Sequence, residues 1–217
     1  MTALEQLLGS NFLPGFLTGM SVNFEIAALA LALGLVLGAV LACGRFCGRF
    51  IAAAAGSIVA LMRAAPTFVV MFFLLNALPR GGGFSGVMIV AVSLVPYTAA
   101  YVSDSVIDAL RVLRAGSRLG GLLILPNIAR AFFVLVMSSG AGAAIGVPEG
   151  ITVLLREAVK MPSLGEKLAL FMIGVACFGI PLQAGFAVIR LVQRRLGRTA
   201  PRSGTKLAHG GALPSEP

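Results

Sequence analysis

The sequence predicts an all-α membrane protein that crosses the bilayer with five transmembrane helices. Of its 217 residues, 58% are hydrophobic and only 12% are charged, and the mean hydropathy is +0.98. A soluble domain carries about twice that share of charged residues. Because one transmembrane helix uses about 20 apolar residues, five of them take up roughly 100 residues and leave no room for a second folded domain.

The apolar stretches are separated by segments that contain charged residues, glycine or proline. The predicted spans cover residues 20–42, 58–78, 84–102, 119–145 and 168–191. The chain accordingly divides into an N-terminal interfacial segment, 1–19, a five-helix domain, 20–196, and a basic tail rich in Gly and Pro, 197–217. The composition of the tail predicts disorder.

Basic residues are divided unequally between the two sides of this predicted bundle. With the C-terminus inside the cell, thirteen of the 17 Lys and Arg residues face the cytoplasm, at residues 45–63, at 111–130 and from 190 onward. The outward-facing ones are Arg80, Arg156, Lys160 and Lys167. Because basic loops stay in the cytoplasm, the sequence predicts an outer N-terminus and a cytoplasmic C-terminus. Basic residues that flank apolar segments are explained by this topology, so nucleic acid is not an expected partner.

Polar side chains in or beside the spans are candidates for contact with a solute, because such groups are costly in lipid. Tyr97, Tyr101 and Asp104 follow one face of the third predicted helix. In one interpretation, these side chains line the inner part of a solute path. In the other, the tyrosines pack at the membrane interface and Asp104 belongs to a solvated extension of the third span, in which Asp108 pairs with Arg111. The sequence leaves both interpretations open.

Ser138 and Ser139 lie among glycine and alanine in the fourth span. Their hydroxyls either satisfy backbone carbonyls in a bent helix or offer hydrogen bonds to a polar solute at the midplane. The sequence contains no nucleophile–base pair, no cluster of metal ligands and no Gly-Lys-Ser/Thr phosphate loop. It therefore predicts no enzyme, no metal site and no cofactor.

Six short segments occur in a fixed order between residues 15 and 198. They are 19–24, 63–74, 100–104, 125–130, 145–149 and 190–196. Together they resemble the permease subunit of bacterial ABC importers of the polar amino-acid type, although Asn23 stands where that family usually has Thr. Arg63-Ala64-Ala65-Pro66 is similar to that family's Arg-Gly-Thr-Pro, and Ala100–Asp104 to its Ala-Tyr-x-x-Glu. The resemblance implies a type I ABC importer permease-like fold in the bacterial plasma (inner) membrane.

The chain departs from that family in the cytoplasmic loop that couples a permease to its ATPase. The family's Glu-Ala-Ala is missing, only its glycine is kept, as Gly116, and the segment from Asp104 to Pro126 is shorter by about three helical turns. The resemblance implies a coupling helix over 110–119. Its basic side chains, which either dock on an acidic ATPase surface or face lipid headgroups, are Arg111, Arg114 and Arg118.

The resemblance also implies partners: an ABC ATPase, a second permease subunit as homo- or heterodimer, an extracytoplasmic solute-binding protein and a small polar solute such as an amino acid. Candidate positions for gating or helix bends are Pro66, Pro126, Pro148 and Glu149. The expected function is therefore the translocation path of an ABC importer. The alternative is an ATP-independent channel-like or scaffold protein that keeps the fold without coupling, which the loss of Glu-Ala-Ala favours.

Overall fold

The computed structural model describes residues 12–78, 83–116 and 124–199. These ranges contain helices and connecting turns, and no strand occurs in them. The helices are α1 (Phe12–Gly44), α2 (Arg49–Ala64), α3 (Thr67–Ala77), α4 (Gly86–Arg114), α5 (Ile124–Ser138), a 3-10 helix (Ser139–Ile145), α6 (Gly150–Lys160) and α7 (Leu164–Thr199). Of the tail predicted to be disordered, 197–217, the structure describes only residues 197–199, which are the last residues of α7. Residues 200–217 lie outside the described residues.

Four segments of the described chain are long and apolar enough to cross a bilayer: α1, α4, α5 together with the 3-10 helix, and α7. The second predicted span, 58–78, is not a straight helix. Instead, α2 and α3 meet at an angle of 93° and provide a fifth crossing only if the bent pair forms one broken span. The protein is a multi-pass membrane protein with the all-helical fold that the composition predicts.

The break between α2 and α3 lies at Ala65-Pro66. Both residues have extended backbone conformations, with φ −68° and ψ 117° at Ala65 and φ −70° and ψ 123° at Pro66. Proline has no amide hydrogen, clashes with the preceding turn and disfavours a helical residue before it. Because α3 has only 11 residues, it is about 16 Å long, roughly half the thickness of the hydrocarbon core.

The first helix is longer than the predicted first span and begins at Phe12. Residues 12–19 are therefore its first turns rather than a separate interfacial segment. Phe12 and Phe16 are buried with Leu154 of α6 and Leu170 of α7. This apolar contact explains why the helix extends to Phe12 although Pro14 and Gly15 lie in it, since Pro is tolerated in the first turn of a helix.

The centre of the fold is a close contact between α1 and α4. A Cβ atom on Gly34 would lie 2.4 Å from Cγ2 of Thr98, and one on Gly38 would lie 2.7 Å from the carbonyl oxygen of Ala99. Small residues spaced four apart let two membrane helices approach to this distance. The Gly34/Gly38 pair thus sets the separation of α1 and α4, around which the other helices pack.

The two ends of the bundle differ in their polar groups. At the Asp104 end, Arg45 after α1 reaches Asp104 on α4, and Arg114 stacks on Phe46 with 4.8 Å between its guanidinium carbon and the ring centroid. At the Glu149 end, Asn23 of α1 contacts the residues that connect α5 to α6. Because α5 ends at the Glu149 end, its first residues point toward the Asp104 end.

Candidate functional site

The carboxylate of Asp104 joins three helical segments at one end of the bundle. Its Oδ1 accepts a hydrogen bond from Nη1 of Arg45 at 2.8 Å, and its Oδ2 accepts one from Nη2 of Arg63. Arg45 follows the C-terminus of α1, and Arg63 lies in the last turn of α2, just before the break at Pro66. Two cations on one carboxylate therefore fix the α1 end and the bend of α2 against α4.

Exposure differs among the members of this ion-pair cluster. The Asp104 side chain is 36% exposed and that of Arg45 is 28% exposed, whereas Arg63 is 60% exposed. Asp108 pairs with Arg111 at 3.2 Å on the same helix, and both of these side chains are about two-thirds exposed. The Asp108–Arg111 pair agrees with the solvated-extension interpretation, while Asp104 itself is held by arginines from other helices.

Tyr97 and Tyr101 lie one turn apart on α4, on the side that continues toward Asp104. Their rings stack with 6.2 Å between centroids and an angle of 26°. Tyr97 packs against the buried core formed by α1, α4 and α5, and both tyrosines are partly exposed. A flat aromatic surface with hydroxyl groups thus lies beside the α1–α4 contact.

Glu149 is fully buried at the opposite end of the bundle, where it caps α6. Its Oε1 accepts the amide hydrogen of Thr152 at 2.7 Å, and its Oε2 accepts that of Ile151 at 2.8 Å. These are the first-turn amides that a helix leaves without internal partners. Since the N-terminus of a helix also carries partial positive charge, the cap stabilises a carboxylate that would otherwise be costly to bury.

Asn23 completes this buried network from α1. Its Nδ2 donates to Oε2 of Glu149 at 2.8 Å and to Oγ of Ser139 at 2.8 Å, and its Oδ1 accepts the amide hydrogen of Gly150 at 2.9 Å. All donors and acceptors of this amide are used except one lone pair. Asn23 therefore links α1, the end of α5 and the start of α6 through one side chain.

Ser139 lies at the point where α5 continues as a 3-10 helix. Its hydroxyl donates to the carbonyl of Val136 at 2.7 Å while it accepts from Asn23. This geometry matches the interpretation in which the hydroxyl satisfies a backbone carbonyl in a bent helix. Ser138 is only partly buried and caps the 3-10 helix without a side-chain bond.

The turn that follows the 3-10 helix holds two of the predicted bend positions. Gly146 has φ +80°, in the left-handed region that glycine favours. Exposed Pro148 then leads directly into Glu149. Pro126 is instead buried near the start of α5. The four predicted bend positions therefore lie at three different places: the α2–α3 break, the first turn of α5 and the cap of α6.

The predicted coupling helix over 110–119 is not a separate element in its described part. Arg111 and Arg114 belong to the last turn of α4, which ends at Arg114. Gly116 follows with φ +88° and turns the chain out of the helix. Arg118 lies outside the described residues. The described arginines of this segment are thus presented by the end of a membrane helix.

The predicted site residues do not form a single cluster. Tyr97, Tyr101 and Asp104 lie along α4 toward one end, whereas Ser139 and Glu149 lie at the other. Sequence reasoning missed the partners, Arg45 and Arg63 for Asp104 and Asn23 for Glu149. An asparagine inside an apolar span was the available signal, because such a residue requires a partner inside the protein.

The arrangement of helices has a counterpart among solved structures. No protein-family model matches this chain, and no curated protein sequence does either. A chain from the crystal structure of an amino acid ABC transporter with histidines matches with a TM-score of 0.68. The match covers 87% of this chain and 97% of that chain at 18% sequence identity.

The described helices share the fold of that transporter chain. This likeness confirms the fold class that the sequence predicts, an all-helical ABC transporter-like membrane fold, and the described residues provide four or five candidate crossings. The counterpart is matched over almost its whole length.

Proposed function

We propose that this chain is the permease subunit of an ABC importer and forms the translocation path for an amino acid or a similar small polar solute. The observation that carries the proposal is the match of its helices to an amino acid ABC transporter over 97% of that chain. The ordered motifs of the sequence lead to the same class of protein. The chain has no phosphate-binding loop of its own, so a separate ATPase subunit supplies the energy.

The Asp104 end is the proposed cytoplasmic side, in keeping with its many arginines. Arg111, Arg114 and the turn at Gly116, together with Arg118, are the proposed contacts with the ATPase. Arg111 and Arg114 are the basic residues of the last turn of α4, and the side chain of Arg111 is 71% exposed. A basic surface of this kind suits an acidic partner surface.

The Glu149 end is the proposed outer side, where α6 offers a surface to an extracytoplasmic solute-binding protein. Leu154 and Ala158 bury one face of α6 against α1 and α7. Arg156 and Lys160 remain exposed on its other face. A second permease subunit completes the path, which runs along the Tyr97–Tyr101 side of α4.

Affinity purification of the tagged full chain from its own cells in mild detergent tests the proposal. We expect an ATPase with a phosphate-binding loop and a second permease chain to co-purify in near-equal amounts. A matched preparation from cells that express an unrelated tagged membrane protein controls for adventitious capture. Recovery of the chain without any ATPase would overturn the proposal.

The second candidate is an ATP-independent channel-like or scaffold protein that retains the permease fold. The missing Glu-Ala-Ala and the shortened segment from Asp104 to Pro126 favour it. Gly116→Ala with Arg118→Gln separates the two candidates, because a side chain at φ +88° strains the backbone. Uptake of radiolabelled amino acids collapses in this variant if the chain is coupled to an ATPase, and is unchanged if it is not. Gly56→Ala on α2, where added bulk meets nothing within 4 Å, is the control.

A further inference from the structure

A cavity of about 230 Å³ lies between α5 and α7. The first turns of α5 and the last turns of α7 line it, so it belongs to the Asp104 end of the bundle. Its lining combines two cations, two amides and an apolar wall, and it includes Pro126, Arg130, Gln183, Phe186, Arg190 and Gln193.

The cavity begins where α5 and α7 are no longer in direct contact. Phe133 of α5 and Phe186 of α7 pack edge to face with 4.4 Å between their ring centroids. A Cβ on Gly185 would lie 2.5 Å from the ring of Phe133, so glycine lets the helices meet there. About one turn closer to the Asp104 end, both helices carry an arginine, Arg130 on α5 and Arg190 on α7, at the walls of the cavity.

Neither arginine has an anionic partner among the described residues. The chain has 17 basic but only eight acidic residues, and the described acidic groups that form ion pairs do so with other residues. The buried carboxylate of Glu149 lies at the opposite end of the bundle. Two guanidinium groups therefore face a cavity to which none of the described residues supplies a balancing negative charge.

The chemistry of the lining selects a phosphate group with an attached apolar chain. Planar guanidinium groups bind phosphate oxygens through paired hydrogen bonds. The amides of Gln183 and Gln193 add neutral donors and acceptors that suit a glycerol hydroxyl, and Phe186 gives an apolar wall that continues along the lipid-facing side of α7. Basic pockets between membrane helices near the interface are suited to anionic headgroups.

We propose that this cavity binds the headgroup phosphate of an anionic phospholipid, held between Arg130 and Arg190. The inference needs only the membrane-embedded fold and does not depend on the proposed transport function. A lipid at this position bridges the start of α5 to the C-terminal part of α7, next to the Phe133–Phe186 contact between these two helices.

Native mass spectrometry of the full chain released from phosphatidylcholine nanodiscs containing phosphatidylglycerol tests this proposal. We expect one retained phosphatidylglycerol per chain, and a loss of about tenfold or more in apparent affinity for Arg130→Gln/Arg190→Gln. The charge-matched control is Arg49→Gln/Arg194→Gln, which removes two exposed arginines that do not line the cavity. It should retain the lipid. Arg130→Lys/Arg190→Lys keeps both charges and should retain it more weakly.

Three results would overturn the proposal. Equal loss in the control variant would mean that overall positive charge, not the cavity, holds the lipid. Displacement of the lipid by millimolar inorganic phosphate or glycerol phosphate, with no dependence on acyl chains, would assign the site to a soluble anion. Unchanged binding in the Gln variant, shown to be folded by its gel-filtration profile, would place the lipid elsewhere.

Discussion

The side chain of Asn23 on α1 donates a hydrogen bond to Glu149 at the start of α6, with 2.8 Å between Nδ2 and Oε2. The same amide accepts from the backbone of Gly150. The two residues are far apart in sequence and both are fully buried. One end of the bundle is therefore held by polar contacts inside an otherwise apolar protein, where the absence of competing water makes each contact costly to lose.

Removing the amide of Asn23 is expected to destabilise the protein markedly. Asn23→Ala leaves Oε2 of Glu149, the amide of Gly150 and Oγ of Ser139 with fewer partners, so the free energy of unfolding should fall by about 2–4 kcal/mol. Thermal unfolding in detergent, followed by far-ultraviolet circular dichroism, measures the change. Ser21→Ala, which removes an exposed hydroxyl from the same helix, should change stability little. Equal effects of the two variants would contradict the role of the buried network.

Glu149→Gln tests the cap of α6 with almost no change in shape. Both carboxylate oxygens accept backbone amide hydrogens, from Ile151 and from Thr152. A glutamine amide must place its own NH₂ group against one of these donors, whichever way it rotates. We expect a loss of about 1–3 kcal/mol in unfolding free energy. Full stability of the glutamine variant in the same thermal measurement would mean that the cap is not formed as described.

The α1–α4 contact predicts strong intolerance of bulk at Gly38. Valine there would place its Cβ 2.7 Å from the backbone carbonyl of Ala99, which cannot move without shifting α4. The variant should lose most of its folded yield in fluorescence-detected gel filtration, since overpacking in a close contact costs about 1–3 kcal/mol or more. Gly56→Ala has open space around it and should be neutral or slightly stabilising. Normal yield of Gly38→Val would refute the contact.

The two arginines on Asp104 should differ in their contribution. Arg45 is less exposed than Arg63, so solvent screens its ion pair less. We expect Arg45→Gln to lower the unfolding free energy by about 1 kcal/mol and Arg63→Gln by less. Both losses should shrink in 1 M salt, where surface ion pairs are screened. The reverse order in thermal unfolding experiments would show that Arg63 is the principal partner of Asp104.

Native cysteines report the orientation of the bundle. Cys43 and Cys47 are exposed near the end of α1, at the Asp104 end. In a Cys177→Ser background, a membrane-impermeant maleimide should label them only after sealed spheroplasts are permeabilised. Lys160→Cys on α6, in a chain that lacks the other cysteines, should be labelled without permeabilisation. The opposite pattern would invert the proposed topology.

The sequence and the structure agree best where the signal is local. Composition and the length of the apolar stretches predict a membrane protein, and four of the five predicted spans correspond to helices able to cross a bilayer. The boundaries are less accurate. The second predicted span contains Arg63 and Pro66 near its start, with Pro66 as a candidate bend, and the clash of the proline ring with the preceding turn divides this segment into two helices. Whether those helices form one crossing depends on their packing.

The candidate site shows the same division between local and long-range information. Asp104 and Glu149 are conspicuous in an apolar sequence because an ionised group in lipid requires a partner. Their partners could not be read from spacing, because Arg45, Arg63 and Asn23 lie on distant segments of the chain. The sequence left the Ser139 hydroxyl either to a backbone carbonyl or to a solute, and in the structure it donates to the carbonyl of Val136 and accepts from Asn23. Contacts between distant segments depend on helix rotation, which hydropathy does not specify.

By itself, the sequence determined that this protein folds in a lipid bilayer and that its backbone is helical. Both follow from the free energy of transferring whole apolar segments from water to lipid. Inside the lipid, the backbone amides and carbonyls of such a segment find hydrogen-bond partners within a helix. The tertiary structure alone decided which polar groups meet, at Asn23 and Glu149 and at Arg45 and Asp104. The first pair lies beside the close approach of Gly19 to the backbone of Glu149, and the second joins helices whose separation Gly34 and Gly38 set. Distances of that kind are a property of packed surfaces rather than of any one segment.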